Sequence, residues 1–483
     1  MHESRDLHRR PPSAIVGPSH MRRHALPDYA ALDRYVEEHM SAWTDELTQF
    51  CRFPSESTDL PALRGAAEWI AERLDRLGAR VDTVELPGDP NVPPLVIGEI
   101  GDGPMTLNAV QHYDVQPAVP YELWTTPPYE PEVRDGRLYA RGVTDNKGEL
   151  MSRVWGVEAY LATLGRLPCR VRFLVEGEEE YGSGHLDQLL DLRPGIRKVE
   201  GALIEGGGVD LVGQPEIVGG VRGIIVVELF VKSIAYDAHS SLATVLPSAP
   251  ARLIQALATF WNEDGQPAVD GLNDGVLPPT PAQVAIVDST STADLADRKR
   301  EFGVDRFLGG MNEREAIRAM TFTPTCNVQG LWAGFTGPGA KTITPAEAHV
   351  RIDIRLVPDQ DPTAILANLR AHLDRRGFED VKFGAKAEQE RAYWTTPDDP
   401  LLDAAARVSE AVFGRPAKRR LSAPGTAPMW QVCGRDTIRM TSLGGGHDDC
   451  RAHAPDENYR LDYAAKAAQV TARFLDEFAA IDG

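Results

Sequence analysis

Acidic side chains and a histidine fall where short apolar segments of this sequence end. His112 and Asp114 follow one apolar run, the acidic stretch EGEEE at 176–180 follows a second, and Glu205 follows a third. In α/β sheets, ligand chemistry gathers at the carboxyl ends of the strands. A further acid, Asp145, precedes a segment with helical spacing. We therefore expect these side chains to converge on one acidic site.

Carboxylates crowded in this way favour bound metal ions, because the negative charge of each one makes it harder for its neighbours to ionise. Oxygen and imidazole donors without cysteine suit zinc or manganese, and two metals bridged by a carboxylate need about three to four carboxylates and two histidines. The sequence offers such a set: His112, Asp145, Glu179, Glu180, Glu205 and His453. Each of these residues alone is weak evidence for a metal site, because a His-x-Asp pair is commonly structural and an acidic triplet commonly begins an exposed helix.

The elements that position these residues follow from the period of the apolar residues. Helical spacing predicts helices, and short apolar runs bounded by glycine or proline predict buried strands. The helices are expected over 29–53, 63–77 and 150–164, and the strands over 95–100, 105–109, 171–175 and 202–204. Strands that alternate with helices indicate an α/β layer fold.

Near residue 219 the pattern changes to that of a separate α+β module. It comprises a strand at 224–232, a helix near 250–261, a polar stretch, and strands at 349–356 and 381–383; helices at 401–413 and 463–478 follow it. We predict a discontinuous catalytic domain of residues 29–218 and 394–483, interrupted by an inserted domain of residues 219–393. Residues 1–28 are predicted to be a disordered leader, and Met21 is an alternative start.

Composition excludes several classes of partner. The formal net charge of -20 would repel nucleic acid and anionic lipid surfaces. No run approaches the roughly 20 apolar residues of a membrane helix. The five cysteines are scattered and form no Cys-x-x-Cys pair, which disfavours a disulfide framework and a thiolate metal site. We therefore expect a cytoplasmic protein with no nucleic-acid or membrane partner.

Several motifs resemble one known family, that of the aminoacylases, carnosinases and succinyl-diaminopimelate desuccinylases, which are dinuclear zinc hydrolases. The subgroup that the chain is most similar to is the carnosinase-like dipeptidases. The resemblance covers nearly all of the chain after about residue 30. It rests on HYDVQP at 112–117, LWTTPP at 123–128, RGVTDNKG at 141–148, GAKT at 339–342 and RLVP at 355–358. It implies a phosphorylase/hydrolase-like α/β catalytic domain with an inserted ferredoxin-like lid and dimerisation domain.

The resemblance implies a ligand set for two divalent ions, with zinc preferred and manganese or cobalt as alternatives. His112, Asp145 and Glu205 would hold one ion, and Asp145, Glu180 and His453 would hold the other. Asp145 would bridge the two ions, and its peptide bond to the following asparagine would be cis. A rival histidine stands six residues before His453, in HDD at 447–449.

The same resemblance implies catalytic and substrate-binding roles. Asp114 would orient the histidine ligand, and Glu179 would be the general base for a metal-bridging water. His239 of the inserted domain would stabilise the oxyanion, in the active site of the other subunit of a homodimer. Arg355 would grip the terminal carboxylate of the substrate, with help from a smaller set of residues: Asn327, Gly425 and Thr426.

The function expected is metal-dependent hydrolysis of an amide bond in a small substrate with a free carboxylate, with a dipeptide preferred. An N-acyl amino acid deacylase would use the same machinery. A metal-binding protein without catalysis is the alternative from another class, and the presence of Glu179 beside a full ligand set disfavours it. Two departures from the subgroup are Glu205, where carnosinases usually have aspartate, and Thr426, where the family has serine.

Overall fold

A computed structural model of the chain describes residues 27–385 and 387–481, without the side chain of Asp294. Most of the predicted leader, residues 1–26, lies outside this part. The helices within it are α1 Ala30–Cys51, α2 Leu60–Arg76, α3 Glu149–Leu164, α4 Leu186–Asp191, α5 Ala249–Leu257, α6 Pro281–Ser289, α7 Ala293–Glu301, α8 Glu313–Phe322, α9 Pro362–Arg375, α10 Pro400–Phe413, α11 Met429–Val432 and α12 Leu461–Ala479.

The strands are short except for two that run for ten residues each, β11 and β15. In chain order they are β1 Arg80–Val84, β2 Leu95–Ile100, β3 Thr106–His112, β4 Glu132–Arg134, β5 Arg137–Tyr139, β6 Arg170–Glu176, β7 Gly201–Ile204, β8 Gly208–Val209, β9 Pro215–Val218, β10 Gly220–Val221, β11 Gly223–Lys232, β12 Ala238–His239, β13 Asn327–Ala333, β14 Ile343–Thr344, β15 Glu347–Leu356, β16 Lys382–Phe383, β17 Glu388–Glu390, β18 Tyr393–Trp394, β19 Lys418–Arg420, β20 Met440–Ser442 and β21 Asn458–Arg460.

A mixed sheet of nine strands forms the centre of the larger unit, in the order β1-β2-β6-β3-β7-β20-β9-β19, with β8 beside β9. Four consecutive neighbours, β6, β3, β7 and β20, run parallel. Alternate residues of β6 enter opposite cores: Phe173 packs with helices α1, α3, α10 and α12, whereas Leu174 packs with α4 and α11. Burial on both faces explains why apolar residues stand next to one another in β3 and β6, as at 109–110 and 173–175, instead of alternating strictly with polar ones.

A second sheet is antiparallel and has the order β13-β15-β11-β16, with β17 also paired to β11. In the chain its elements follow one another as β11-α5-β13-β15-α9-β16, which is the ferredoxin-like arrangement. Its core is separate and includes Val227, Leu253, Ile352 and Leu369. The α/β fold with an inserted ferredoxin-like module is therefore confirmed. The domain boundaries at 219 and 393 stay a prediction. Both lie at the antiparallel pair formed by β10 and β18.

The predicted helices and strands of the larger unit are present, with ends shifted by a few residues. The polar stretch after residue 261 holds elements that the sequence pattern did not predict, namely the three helices α6 to α8 and the strands β13 and β14. Strand β20 was also missed. Among the residues described here, no helix is both long and apolar enough to cross a membrane.

Candidate metal centre and active site

The ends of three neighbouring parallel strands bring the acidic residues together. Strand β3 ends at His112, β7 ends immediately before Glu205, and a short 3₁₀ turn that contains Glu179 and Glu180 follows β6. Because β6 and β7 flank β3 on either side, these residues meet at one edge of the sheet. The turn that carries Asp145 lies between β5 and α3 and reaches the same edge.

Two groups of ligand atoms share Asp145. The Nε2 atom of His112 lies 2.9 Å from Glu205 Oε2 and 3.1 Å from Asp145 Oδ1. The Nε2 atom of His453 lies 3.0 Å from Asp145 Oδ2 and 3.2 Å from Glu180 Oε2. Each oxygen of Asp145 thus faces a different histidine. This is the arrangement that a carboxylate bridging two cations requires.

Glu179 lies farther from the histidine than the other acids do. Its Oε2 atom is 4.0 Å from His112 Nε2, compared with 2.9 Å for Glu205. A looser grouping, with donor atoms within 4.8 Å of one another, joins His112 to Glu179 and Glu205, and separately to Asp145 and Glu180. In the shorter contacts Glu179 takes no part, and its carboxylate lies beside the cluster.

Asp114 joins two parts of the site. Its backbone carbonyl lies 3.0 Å from Nδ1 of His112, and its Oδ1 atom lies 3.3 Å from the same nitrogen, so both orient the imidazole. Its carboxylate also accepts the backbone N–H groups of Glu179 and Glu180 and the hydroxyl of Ser57. The expected orienting role thus falls on the backbone oxygen as well as the carboxylate.

A buried glutamate that sequence reasoning missed supports the Asp145 turn. Glu457 is fully buried and accepts the backbone N–H groups of Gly142, Thr144 and Asp145 at 2.8, 2.9 and 3.1 Å. Arg141 donates to the same carboxylate at 2.7 Å. The peptide bond after Asp145 is cis, as expected. No local pattern indicates this role, because the partners lie more than 300 residues away in the sequence.

Another buried acid, Glu149, holds the glycine-rich loop after β20. Its Oε1 atom accepts the backbone N–H groups of Gly445 and Gly446 at 2.8 and 2.7 Å. A Cβ atom on Gly444 would lie 2.2 Å from Glu149 Oε2, so a larger residue would have to displace this buried carboxylate. The loop leads towards His453 and so helps to position that side chain beside the cluster.

The rival histidine, His447, is engaged elsewhere. Its Nδ1 atom lies 2.7 Å from Asp449 Oδ1, and its Nε2 atom accepts the backbone N–H of Arg460 at 3.3 Å. Both ring nitrogens are therefore occupied by residues outside the acidic cluster. His453, whose ring is half exposed, is the histidine that reaches Asp145.

The cluster fits divalent cations. Burial, together with the charges of Asp145 and Glu180, raises the pKa of Glu205, so this carboxylate needs positive partners to stay charged. The hydrogen bonds of His453 to Asp145 and Glu180 raise its pKa to about 10, which shows how strongly a positive charge is favoured there. Among the described residues, Glu180 Oε1 is buried without a hydrogen-bond partner. Imidazole and carboxylate donors without thiolate suit zinc or manganese.

A cavity of about 370 Å³ leads away from the cluster. Its lining includes Asp145 and Glu205 at one place and Gly425 and Thr426 at another. The hydroxyl of Thr426 accepts a hydrogen bond of 2.7 Å from Nη1 of Arg355. The cavity therefore connects the acidic cluster with the hydroxyl that contacts the predicted carboxylate-binding arginine.

Two predicted site residues make other contacts. Nδ2 of Asn327 donates to Asp353 at 2.7 Å, on neighbouring strands of the inserted module. His239 is exposed, and its Nδ1 atom accepts hydrogen bonds from the hydroxyl and backbone N–H of Ser241. Within the part of the chain described, the His239 ring makes no hydrogen bond or ion pair with the acidic cluster.

The fold and this site together define a metal-dependent hydrolase. The family model of peptidase family M20/M25/M40 matches residues 110–477, and the chain belongs to this family. The resemblance seen in the motifs is thereby confirmed, and the protein is a metallopeptidase by family.

Individual relatives agree over nearly the whole chain. The chain is 28% identical over 476 residues to the Beta-Ala-His dipeptidase of Homo sapiens, covering 92% of this chain and 91% of that protein. It is 25% identical to the Cys-Gly metallodipeptidase dug1 of Schizosaccharomyces pombe, covering 94% and 98%. A solved M20 family metallo-carboxypeptidase from Sulfolobus solfataricus has a TM-score of 0.82 at 30% identity, covering 91% of this chain and 99% of that one.

Replacing Asp145 with alanine is expected to remove both metal ions, because each of its oxygens faces a different histidine. Elemental analysis of the purified variant, after dialysis against metal-free buffer, measures the ions bound per chain. Asp102→Ala is the control, because that exposed carboxylate lies 3.9 Å from Arg166 and outside the cluster. One ion still bound tightly to Asp145→Ala would contradict the bridging role.

Proposed function

We propose that this protein is a dipeptidase that requires two divalent metal ions and a substrate with a free C-terminal carboxylate. The observation that carries the proposal is the pair of histidine–carboxylate groups sharing Asp145 at the start of a cavity that leads to Thr426. The relatives named as dipeptidases support the substrate class. Zinc is the proposed metal, and the ligands are His112, Asp145 and Glu205 for one ion, and Asp145, Glu180 and His453 for the other.

The ions, when bound, would lower the pKa of a water molecule and polarise the scissile carbonyl. The protein's own residues then move the proton and hold the substrate. Glu179 takes a proton from the attacking water and returns it to the leaving nitrogen. The Oε2 atom of Glu179 lies 4.0 Å from His112 Nε2, beside the proposed ligands, and this places its carboxylate within reach of a water molecule at the cluster.

Substrate orientation comes from the other end of the cavity. The guanidinium of Arg355 presents a planar set of donors that matches a carboxylate, and Thr426 fixes that guanidinium by accepting one of its N–H groups. Gly425 and Asn327 are proposed as further contacts. With the carboxylate held at this place, the peptide bond is directed to the acidic cluster.

We also propose a homodimer that pairs through the inserted domain. Strand β13 is the edge of the second sheet, and it exposes Leu331 and Trp332. An exposed apolar edge strand favours pairing with another strand. His239 belongs to this domain and does not reach the cluster of its own chain by any contact described, so the partner's active site is its proposed place. The cysteines described are free, which supports a reducing compartment such as the cytoplasm.

The proposal is tested by supplying the zinc- or manganese-loaded protein with a mixed set of dipeptides and N-acyl amino acids. Release of free amino acids from dipeptides, measured by mass spectrometry, is the expected result. Hydrolysis confined to N-acyl amino acids would replace the dipeptidase by the deacylase alternative. Metal binding without hydrolysis of either class would overturn the enzyme assignment of this site.

Changing Arg355 to lysine is expected to raise KM for dipeptides by about tenfold or more, although the charge is kept. A point-charge ammonium cannot reproduce two parallel hydrogen bonds to a planar carboxylate. Steady-state kinetics on a dipeptide and its C-terminal amide measure the effect, and the amide should respond little. Arg351→Lys is the matched control, because Arg351 lies four residues away on the same strand and is half exposed. Equal losses on both substrates would remove Arg355 from the carboxylate site.

A further inference from the structure

Arg222 is a buried arginine between β10 and β11, at the point where the chain enters the second sheet. Its guanidinium donates hydrogen bonds to four backbone carbonyls. These belong to Met320, to Thr323 at 2.6 Å, and to Arg355 and Leu356 at 3.3 Å each. This one side chain therefore contacts two segments that lie about 100 and 130 residues after Arg222 in the sequence.

The four carbonyls come from two places. Met320 and Thr323 are at the end of helix α8, whose last carbonyls lack helical partners and favour a cation. Arg355 and Leu356 end strand β15. The position of the carboxylate-binding arginine is thus fixed at its own backbone, and Thr325 adds two further hydrogen bonds to that backbone.

The main chain of Arg222 holds the loop of Gly425 and Thr426, which forms the proposed carboxylate site together with Arg355. Its backbone N–H donates to the carbonyl of Gly425 at 3.0 Å. The next residue, Thr426, accepts the hydrogen bond from the Arg355 side chain. Arg222 therefore contacts, by its side chain, the strand end that carries the guanidinium and, by its main chain, the loop that carries the hydroxyl.

The charge of Arg222 has no anionic partner in the part of the chain described. Within residues 27–385 and 387–481, its guanidinium donates only to backbone carbonyls and forms no ion pair. Burial and the charge of Arg355 lower the pKa of Arg222 to about 10. A substrate carboxylate held by Arg355 and Thr426 would place a negative charge near both guanidinium groups, where the low dielectric strengthens the attraction.

We propose that Arg222 is a positioning residue for carboxylate recognition. It fixes Arg355 and the Gly425–Thr426 loop relative to each other, and it supplies a second positive charge that a free substrate carboxylate neutralises. The inference rests on the proposed function, since it concerns the same end of the cavity. A purely structural role of Arg222 would instead affect the hydrolysis of all substrates alike.

The test compares a dipeptide with its C-terminal amide in the metal-loaded protein and in Arg222→Gln. We expect kcat/KM for the free dipeptide to fall by about tenfold to hundredfold through KM, the range for loss of a charge-assisted contact. For the amide, kcat/KM should change by less than about threefold, and metal content and the melting temperature should show that the variant is folded. Arg370→Gln is the matched control, because Arg370 also donates to backbone carbonyls, those of Val381 and Phe378, and none of these residues lines the cavity.

Arg222→Lys covers the case in which the glutamine variant does not fold. Lysine keeps the charge but cannot donate to four carbonyls, so KM for the free dipeptide should rise, and by less than in the glutamine variant. Equal losses on dipeptide and amide in a folded variant, or no change on the dipeptide, would overturn the inference and leave the dipeptidase proposal intact. Wild-type protein that hydrolyses no dipeptide would overturn the proposed function, and this inference with it.

Discussion

The variant Glu179→Gln should lose nearly all turnover while it keeps its metal ions. The glutamine side chain cannot accept a proton, yet it has nearly the same size as glutamate. Removal of a general base commonly costs about 10²–10⁴-fold in rate. Because Glu179 would also orient the attacking water, we expect a loss at or above the upper end of that range. The measurement is kcat on a dipeptide, with elemental analysis of the same preparation.

The neighbouring acid provides a matched control. Glu178 belongs to the same acidic triplet, but its carboxylate pairs with His185 at 2.9 Å and makes no contact with the metal ligands among the described residues. Glu178→Gln should therefore retain most of its activity. If Glu179→Gln lost a metal ion, the looser grouping that joins Glu179 to His112 and Glu205 would describe the ligands better. Near-normal activity would exclude Glu179 as the base.

The parts of the fold that sequence reasoning predicted are those with a strong local pattern. Strands β3, β6 and β7 are largely buried on both faces, so apolar residues stand next to one another in them, as at 109–110, 173–175 and 202–204. Their carboxyl ends could then be compared, and the acidic residues at those ends pointed to a shared site. That inference needed only the rule that parallel strand ends meet at one edge.

The missed helices contribute little to the core. Helix α6 buries only Val287, and helix α8 buries only Ala316. A local signal was nevertheless available. Both helices begin with a capping box, formed by Thr280 with Gln283 and by Asn312 with Glu315. These spacings could have identified the two helix starts.

The supporting acids could not be predicted, because their partners are set only by the tertiary fold. Glu457 accepts backbone N–H groups of the Asp145 turn, and Glu149 accepts those of the glycine loop. Nothing in the local sequence distinguishes these acids from exposed ones. Strand β20 has three residues, too few to show a period, although it carries the loop that leads to His453. The choice between His447 and His453 likewise required the contacts of both rings.

Mixing two inactive variants, His239→Ala and Glu179→Gln, should restore activity if His239 acts in the partner's active site. In a mixed dimer, one site would then combine an intact Glu179 with an intact His239 from the other subunit. The second site would carry both lesions. With random exchange about half of the dimers are mixed, and each has one intact site, so activity should recover to roughly a quarter of the wild-type value.

The structure supplies the reasons for expecting action between subunits. His239 follows β11 in the inserted module, whereas His112, Asp145 and the other proposed ligands lie outside it. Its ring is exposed, and its Nδ1 atom is held by Ser241, which leaves Nε2 to donate a hydrogen bond. A partner that pairs along the β13 edge could bring such a donor to an oxyanion without a large movement of either chain.

A second mixture separates this arrangement from a general effect of subunit exchange. Glu179→Gln and Asp145→Ala both change residues of the catalytic unit, so every site of their mixed dimer carries one lesion, and no recovery is expected. Exchange itself is followed by native mass spectrometry of differently tagged subunits. If His239 acts in its own chain, the first mixture stays as inactive as the second despite demonstrated exchange, because each site then has one lesion. A monomer at assay concentration would exclude the dimer and the shared site together.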